Sequence, residues 1–511
     1  MMNNAVLSLP HILLFAPLLL SALFNLISDK KLLHILAMSS VAALLSIAFK
    51  IMLALNVGEN IFVDAITDIN ILGSDFVVNI KNMTLISAAL VINFFYLLNL
   101  NYENFFIKQP NVKFKKVFYS MYFLQIFSVI GIFTTYNVYH LFLFIEIFNF
   151  SFFNALSAYR SREINASVYK FYTNNVFGSV ILCIAIFYLS IYFNTNNVLS
   201  IKQQLSTINL GENFFIAFIL ILITIGFMLS FLMFNVKTSD LEKRNFNILT
   251  INNIFISATI GLYLINYFVF DLFSFKVSIF TIRIIQGLIL LFMSYKSIMV
   301  FFVRNYDGIY KIFLNFVTLS MCHCLMGLFI PNKAATANIM MFRALENITI
   351  NFPIFLIGVY LSEVRRDSDY KLLADKKYAP LRYLLAILIV SKIYMPLTAG
   401  YYSDKILFKF FLESRNYFAI ALGAISKTIV FAFLAKFLLK TMTPPENPMP
   451  AGDFHVQRLK RFKLSLAISI LLLTIFMAAS KKFFTKISAN NGVSVGVKHR
   501  SDSLYSLLKL L

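Results

Sequence analysis

Long apolar runs alternate with short polar stretches along the whole chain of 511 residues. A helix needs roughly 20 predominantly apolar residues to cross the hydrocarbon core of a bilayer. The runs of this length predict an all-α integral membrane protein with about fourteen transmembrane helices. The predicted spans cover residues 5–27, 33–56, 80–100, 117–135, 138–158, 168–193, 214–236, 247–270, 277–303, 310–330, 336–361, 380–412, 416–439 and 462–480.

The charges of the loops test this count, because cytoplasmic loops carry an excess of Lys and Arg. Every odd-numbered loop is basic, from Lys30 and Lys31 in the first loop to the six residues between Arg365 and Arg382 in the eleventh. The even-numbered loops hold at most one basic residue each. This alternation predicts an N-terminus on the outside. The basic tail 481–511 is the exception, and a missing or additional crossing near the end would explain it.

The composition leaves no room for a second domain. Hydrophobic residues make up 59% of the chain and charged residues 13%, whereas soluble domains contain about a quarter charged residues. We therefore expect a single polytopic membrane domain over residues 1–480, followed by the basic tail. The net charge of +22 is dispersed over the loops, which disfavours a nucleic-acid-binding surface.

Several kinds of chemistry find no support in the sequence. No Gly-rich phosphate loop and no nucleophile elbow occurs, which disfavours ATP-driven or hydrolytic mechanisms. Cys322-His323-Cys324 lies inside an apolar run. Residues two apart on a helix point in nearly opposite directions, so these two thiols are a poor metal site. We expect no catalytic site, no metal and no cofactor.

Glu146 is the strongest candidate for function. It lies near the middle of the fifth predicted span, and a charge inside the hydrocarbon is costly enough to suggest a functional role. Its carboxyl group must be protonated or paired with a cation across the bundle. The alternative is a structural hydrogen bond to a neighbouring helix.

A second candidate is the twelfth span. Lys392, Asp404 and Lys405 flank a stretch that contains Pro396 and Gly400, and these two residue types together interrupt helices. Broken helices near a charge are typical of ion-translocating sites. We therefore predict a discontinuous helix that turns Lys405 toward the interior of the bundle.

Other spans contain charges as well. Glu346 is three residues from Arg343, on one helix face, so the two are able to neutralise each other. The remaining charges within or near spans are Lys50, Arg283, Lys296 and Lys427. Snorkelling to the interface is the simplest interpretation for Lys50 and Lys296.

The order of these features resembles one family: the antiporter-like membrane subunits of proton-pumping NADH:quinone oxidoreductase, together with the D-type subunit of multisubunit Na+/H+ antiporters. The resemblance covers roughly residues 80–440. It rests on four stretches in the family's order, which are Asn137 to Glu146, Lys170-Phe171-Tyr172 with Ser179, Asp307 to Lys311 with Ser320 and Gly327, and Met395-Pro396 to Lys405. It implies fourteen helices, an outside N-terminus and an essential Glu on the fifth helix.

The sequence departs from the family in the centre. Ser230 stands where the family has a buried Lys on its seventh helix, and Thr259 lies near the position of the Lys of the eighth. Glu346 falls near the family's His on the eleventh helix. Glu146 therefore lacks its expected partner, and Lys170 and Lys237 are the available substitutes.

The resemblance implies a divergent subunit of a hetero-oligomeric complex in the cell inner membrane that translocates protons or Na+. The expected ion pathway consists of Glu146, Lys170, Lys237, Glu346, Lys392, Asp404 and Lys405. Redox chemistry would then belong to other subunits. Two alternatives remain: a transport-inactive structural subunit of such a complex, which Ser230 favours, and an unrelated lipid or oligosaccharide exporter, which the small number of buried charges disfavours.

Overall fold

The structure is a computed structural model, and its description is continuous through most of the first 207 residues and again near residues 379–442. The described segments are 4–27, 29–55, 61–63, 76–100, 112–157, 162–207, 379–392, 399–413 and 415–442. Between the two parts the described positions are 216, 219–221, 223–224, 256–257, 259–272, 287, 291, 294–295, 298, 339, 342–343, 346, 350–354 and 357.

The first part is a helical bundle whose first six helices coincide with the first six predicted spans. Apolar runs form helices here because a helix satisfies all of its own backbone hydrogen bonds in lipid. The elements are α1 (Asn4–Phe24), α2 (Lys30–Ala54), β1 (Ile61–Val63), β2 (Phe76–Val78), α3 (Ile80–Leu100), α4 (Val112–Thr134), α5 (Val138–Ser157), α6 (Arg162–Phe193) and α7 (Val198–Thr207). Helix α4 packs against α1, α2, α3 and α5 and is the centre of this bundle.

The second part contains a π-helix and three α-helices. The π-helix runs over Ile265–Leu272, and the α-helices are α8 (Ala379–Lys392), α9 (Ala399–Glu413) and α10 (Tyr417–Met442). The twelfth predicted span is thus occupied by α8 and α9. Residues 393–398, which include Pro396, lie outside the described residues.

The protein is an all-α integral membrane protein. Six helices of the described part are long and apolar enough to cross a membrane: those containing Leu32–Met52, Ile80–Leu98, Lys115–Thr134, Val138–Ala155, Asn175–Phe193 and Tyr417–Lys436. The total of fourteen crossings and the outside N-terminus stay predictions. Spans 310–330 and 462–480 and the tail 481–511 lie outside the described residues, as does Cys322-His323-Cys324.

Three small elements of the first part, β1, β2 and α7, were not predicted by the apolar pattern. Strands β1 and β2 pair antiparallel, and Phe76 of β2 bridges to Thr135 in the turn before α5. The turn before α7 pairs with that same turn through Val138 N–H to Asn196 O (3.0 Å) and Val198 N–H to Tyr136 O (2.8 Å). These backbone pairings tie together the loops at the start of α5.

Each of these two turns starts its helix with an asparagine cap. The Asn137 Oδ1 accepts the Tyr139 N–H at 2.9 Å, and the Asn197 Oδ1 accepts the Leu199 N–H at the same distance. Such caps satisfy backbone donors that the first turn of a helix leaves free. They fix where α5 begins, and therefore where Glu146 lies along it.

Candidate functional site

Glu146 lies in the middle of the membrane-spanning part of α5. It is eight positions after Val138, where that part begins, and nine positions before Ala155, where it ends. At a rise of about 1.5 Å per residue, its carboxyl group is roughly 12 Å or more from either end. A side chain this short does not reach the interface from there. A negative charge on Glu146 must therefore be neutralised inside the protein.

Helix α4 holds this part of α5 close through Gly131. A methyl group added at Gly131 would overlap the Phe144 ring, which lies two residues before Glu146. The same ring meets Phe127 at 5.4 Å and Phe76 at 6.1 Å between centroids, both edge-on. Close backbone approach at a glycine thus sets the position of Glu146 against its neighbours.

Three polar side chains accompany Glu146 between α5 and α6. Asn149 lies one turn after Glu146 on α5, and Asn175 and Ser179 lie one turn apart on α6, so each pair shares a helix face. Asn175 Nδ2 donates to Asn149 Oδ1 at 3.4 Å, Asn149 Nδ2 donates to Ser179 Oγ at 3.4 Å, and Ser179 Oγ donates to the Asn175 carbonyl at 3.1 Å. We call these four residues the α5–α6 site.

Two oxygen atoms of the α5–α6 site are buried without a hydrogen-bond donor, Glu146 Oε1 and Asn175 Oδ1. The Ser179 side chain is within hydrogen-bonding reach of the Glu146 carboxyl group. No described residue forms an ion pair with Glu146. The site therefore holds a carboxyl group, two amides and a hydroxyl, with no basic side chain among them.

A second polar site contains Arg343, Glu346 and Asn351 together with side chains of α8, α9 and α10. Arg343 bonds both to Glu346, at 2.5 Å, and to Asp404. Lys392 Nζ is 3.1 Å from Glu346 Oε1 and 2.7 Å from Asn351 Oδ1. Lys427 Nζ is 2.6 Å from Asp404 Oδ2. We call the five ionisable residues the charged cluster.

The charged cluster is withdrawn from the surface. The exposed fractions of the Arg343, Glu346, Asp404 and Lys392 side chains are 2%, 4%, 6% and 7%, and that of Lys427 is 17%. Each carboxylate has two basic partners, so the attraction between the charges offsets their desolvation. Three basic and two acidic groups leave one positive charge in excess.

Gly400 makes room for the cluster at the start of α9. A Cβ atom at this position would lie 2.9 Å from the Glu346 carboxyl carbon and 3.1 Å from both of its oxygens. Only a glycine allows α9 to approach the carboxylate so closely. The glycine that the sequence suggested as part of a helix break thus also has a packing role.

Comparison with known proteins defines the family. A family profile described as "NADH:quinone oxidoreductase/Mrp antiporter, TM" matches residues 135–430, which is more than half of the chain and includes both sites. The chain belongs to this antiporter family. The resemblance seen in the sequence is confirmed. A search of curated proteins finds no match.

Three solved structures share the fold of this antiporter-family chain. A chain of the Mrp complex from Dietzia sp. is 12% identical with a TM-score of 0.75, and the match covers 96% of this chain and 97% of that one. A chain of respiratory complex I from Thermus thermophilus is 13% identical with a TM-score of 0.69, covering 94% and 99%. A chain of an archaeal membrane-bound sulfane sulfur reductase is 16% identical with a TM-score of 0.71, covering 90% and 74%.

The structure brings together three of the predicted pathway residues, Glu346, Lys392 and Asp404. Lys405 does not join them: its side chain is exposed on α9, and the predicted inward orientation is wrong. Asp404 takes the inward position, because adjacent residues on a helix point about 100° apart. Glu146 belongs to the separate α5–α6 site.

Two predicted members are less fully placed. Lys170 lies on α6, but its side chain is not among the described ones, and Lys237 lies outside the described residues. Arg343 and Lys427 belong to the cluster although they were not predicted as pathway residues. Their signal was a basic residue within an apolar run, which the sequence shows but does not distinguish from a snorkelling side chain.

No group of three or more His, Cys, Asp or Glu side chains suited to a metal ion occurs among the residues that the structure describes. Neither the α5–α6 site nor the charged cluster contains a His or Cys. The chemistry within reach of these two sites is the binding and release of protons or of hard cations, which prefer oxygen ligands.

Proposed function

We propose that this chain is the ion-translocating, antiporter-like subunit of a multi-subunit complex in the cell inner membrane, and that it moves protons or Na+. The observation that carries the proposal is the Glu146 carboxyl group, in mid-membrane with one oxygen that no described group of the protein satisfies. A buried carboxylate without a basic partner is strongly unfavourable. Glu146 is therefore occupied by a proton or a cation, which is the state an ion carrier must bind and release.

The charged cluster supports the same function. It contains one positive charge in excess, so release of one proton from the cluster makes it neutral. An ionised Glu146 carries the opposite excess charge. Transfer of one proton from the cluster to Glu146 would thus neutralise both sites. The three similar structures come from complexes described as respiratory or Mrp assemblies, which supports membrane subunits as the partners of this chain.

The test is cation-dependent proton flux in proteoliposomes that contain the assembled complex. Glu146→Gln keeps the size of the side chain and removes its proton site, so we expect the flux to be lost while assembly is unchanged. Glu146→Asp should keep part of the flux. Glu413→Gln is the matched control, because Glu413 is exposed at the end of α9 and its ion pair with Lys409, at 3.8 Å, is exposed as well.

A transport-inactive structural subunit is the second candidate. The charged cluster favours it, since paired charges on several helices also hold those helices together. No basic side chain in the described part of the chain pairs with Glu146. This alternative predicts that Glu146→Gln transports like the parent or that it fails only because the complex falls apart. Full flux from an assembled Glu146→Gln complex would therefore decide for the structural role.

A further inference from the structure

A buried histidine near the start of α2 belongs to neither of the two polar sites. His34 is 6% exposed, and its Nδ1 atom is 2.8 Å from the Tyr119 Oη on α4. Tyr119 is itself 2% exposed. The second ring nitrogen of His34, Nε2, is buried and has no hydrogen-bond partner among the described residues. The imidazole is thus held through one nitrogen, by a phenol that carries no charge.

The same end of α4 is also bound to α1. The Ser120 hydroxyl, next to Tyr119, is 3.2 Å from the Ser21 hydroxyl and accepts a hydrogen bond from Asn25 Nδ2 at 3.1 Å. Lys116 Nζ donates to the Asn25 carbonyl at 3.2 Å. We call these residues, together with the histidine, the α1–α2–α4 junction. One turn of α4 therefore binds both preceding helices, and it binds α2 through the histidine.

A protonated His34 would meet no acidic side chain from the helices around it. Helix α2 packs against α1, α3 and α4, and none of these four helices contains an Asp or a Glu. Lys115 is the basic residue whose charge acts on the imidazole. Asp29 precedes α2, where it is exposed and accepts the Leu32 N–H at 3.5 Å. The other titratable groups of the four helices are His11 on α1, Lys30, Lys31 and Lys50 on α2, Lys81 and Tyr96 on α3, and Lys113, Lys116, Tyr119 and Tyr122 on α4.

We propose that His34 and Tyr119 form a pH-sensitive contact between α2 and α4, closed while His34 is neutral and opened when it binds a proton. Histidine in water has a pKa of about 6.5, so its charge changes close to physiological pH. In the closed junction the added charge is buried near a basic residue, whereas water solvates it once the junction opens. The closed state is therefore most stable above about pH 6.5 and loses stability as the pH falls below that value.

The contact lies near one end of the membrane-spanning part of α2, which begins at Leu32. The loop with Lys30 and Lys31 precedes this end, so the contact would respond to pH on the predicted cytoplasmic side. Its opening would act on α4, which also contacts the Phe144 ring of α5 through Gly131. The proposal goes beyond ion transport, because it concerns the packing of the first helices whether or not ions move.

The proposal is tested by hydrogen–deuterium exchange of the purified complex in detergent, at about pH 7.5 and about pH 5.5, corrected for the intrinsic dependence of exchange on pH. If only the open junction binds the proton, with the ordinary histidine pKa, the open population rises about tenfold between these two values. We therefore expect corrected exchange of the amides around His34 and Tyr119 to be about tenfold faster at the lower pH.

Three variants make the test specific. His34→Gln keeps a side chain able to bond with Tyr119 but cannot titrate, so the tenfold difference should disappear. His11→Gln is the matched control, because His11 is a partly exposed histidine on α1, and the difference should remain. Tyr119→Phe keeps the ring and removes the hydroxyl, so exchange at this position should already be faster at the higher pH.

Each outcome decides for or against the contact. A tenfold difference in the parent and in His11→Gln, absent from His34→Gln, supports it. The same difference in His34→Gln would overturn it, because another group would then titrate. Equal corrected exchange at both pH values in the parent would also overturn it, as would unchanged exchange at the higher pH in Tyr119→Phe. This last variant still tests the contact if His34→Gln does not assemble. None of these results depends on flux through Glu146, so the two proposals fail separately.

Discussion

The α5–α6 site and the charged cluster solve the problem of burying charge in opposite ways. In the cluster, every ionisable group is paired, and Arg343 and Asp404 each contact two partners. At the α5–α6 site a single carboxyl group lies among amides and a hydroxyl, and within the described part of the chain Glu146 Oε1 and Asn175 Oδ1 have no donor. Among the residues that the structure describes, each charge of the cluster has a partner of opposite sign, whereas the Glu146 carboxyl group has none.

The difference shows which site is the better candidate for binding an ion from outside. The ion pairs of the cluster must break before its side chains can rearrange. A change in the charge of one member would allow this. A carboxyl group without a basic partner changes its occupant at a smaller cost, because no ion pair has to break first. We infer that the α5–α6 site exchanges ions and that the cluster responds to the charge.

The largest effect on stability is expected when an acidic group of the charged cluster is removed. Asp404→Asn leaves Lys427 without its carboxylate and raises the excess charge from one to two. Breaking a buried ion pair in this way costs about 3–5 kcal/mol. We expect a clear fall in the Tm of the purified complex. The Tm is measured by size-exclusion chromatography of samples heated to a series of temperatures.

Arg343→Met is the comparison that makes this prediction sharp. It removes the excess positive charge and leaves two one-to-one pairs, Lys392 with Glu346 and Lys427 with Asp404. We therefore expect a smaller fall in Tm than for Asp404→Asn. An Arg343→Met complex less stable than the Asp404→Asn complex would show that hydrogen bonds from the guanidinium, rather than net charge, hold the cluster together.

An intermediate effect on stability is expected when the two glycines at close helix contacts are replaced by alanine. Gly131→Ala would press against the Phe144 ring beside the α5–α6 site, and Gly400→Ala would press against the Glu346 carboxyl group. Overpacking of this kind costs about 1–3 kcal/mol. Both variants should lower the Tm, and Gly131→Ala should also reduce the flux that depends on Glu146.

Gly287→Ala is the control for both glycine variants, because a Cβ atom there would meet nothing within 4 Å. We expect no loss of Tm or of flux from this change. Unchanged flux in Gly131→Ala, together with a lowered Tm, would mean that the position of α5 against α4 does not determine how the α5–α6 site binds its ion.

The smallest effect is expected at Lys405, and Lys392→Met is its matched comparison. Lys392 contacts Glu346 and Asn351, so its loss changes the charge of the cluster and should lower the flux in proteoliposomes. Lys405 is exposed, and Lys405→Met should transport like the parent. Loss of flux in Lys405→Met from an assembled complex would place the ion path along the outer face of α9.

The sequence alone determined the membrane fold, because the apolar period and length of a spanning helix are local properties. The first six predicted spans coincide with α1 to α6, and four stretches in the family's order, from Asn137 to Lys405, sufficed for the family resemblance to be seen. The sequence also singled out Glu146 by depth alone, since its distance from both helix ends can be counted in residues.

Only the tertiary structure decided which polar groups meet. Arg343 is separated from Asp404 by 61 residues and Asn149 from Ser179 by 30, and no local pattern reports contacts at such distances. The orientation of Lys405 was predicted wrongly for the same reason: two adjacent charges, Asp404 and Lys405, differ by about 100° on a helix, and packing selects which one faces inward. Here the Arg343 and Lys427 side chains, approaching from other segments, select the carboxylate.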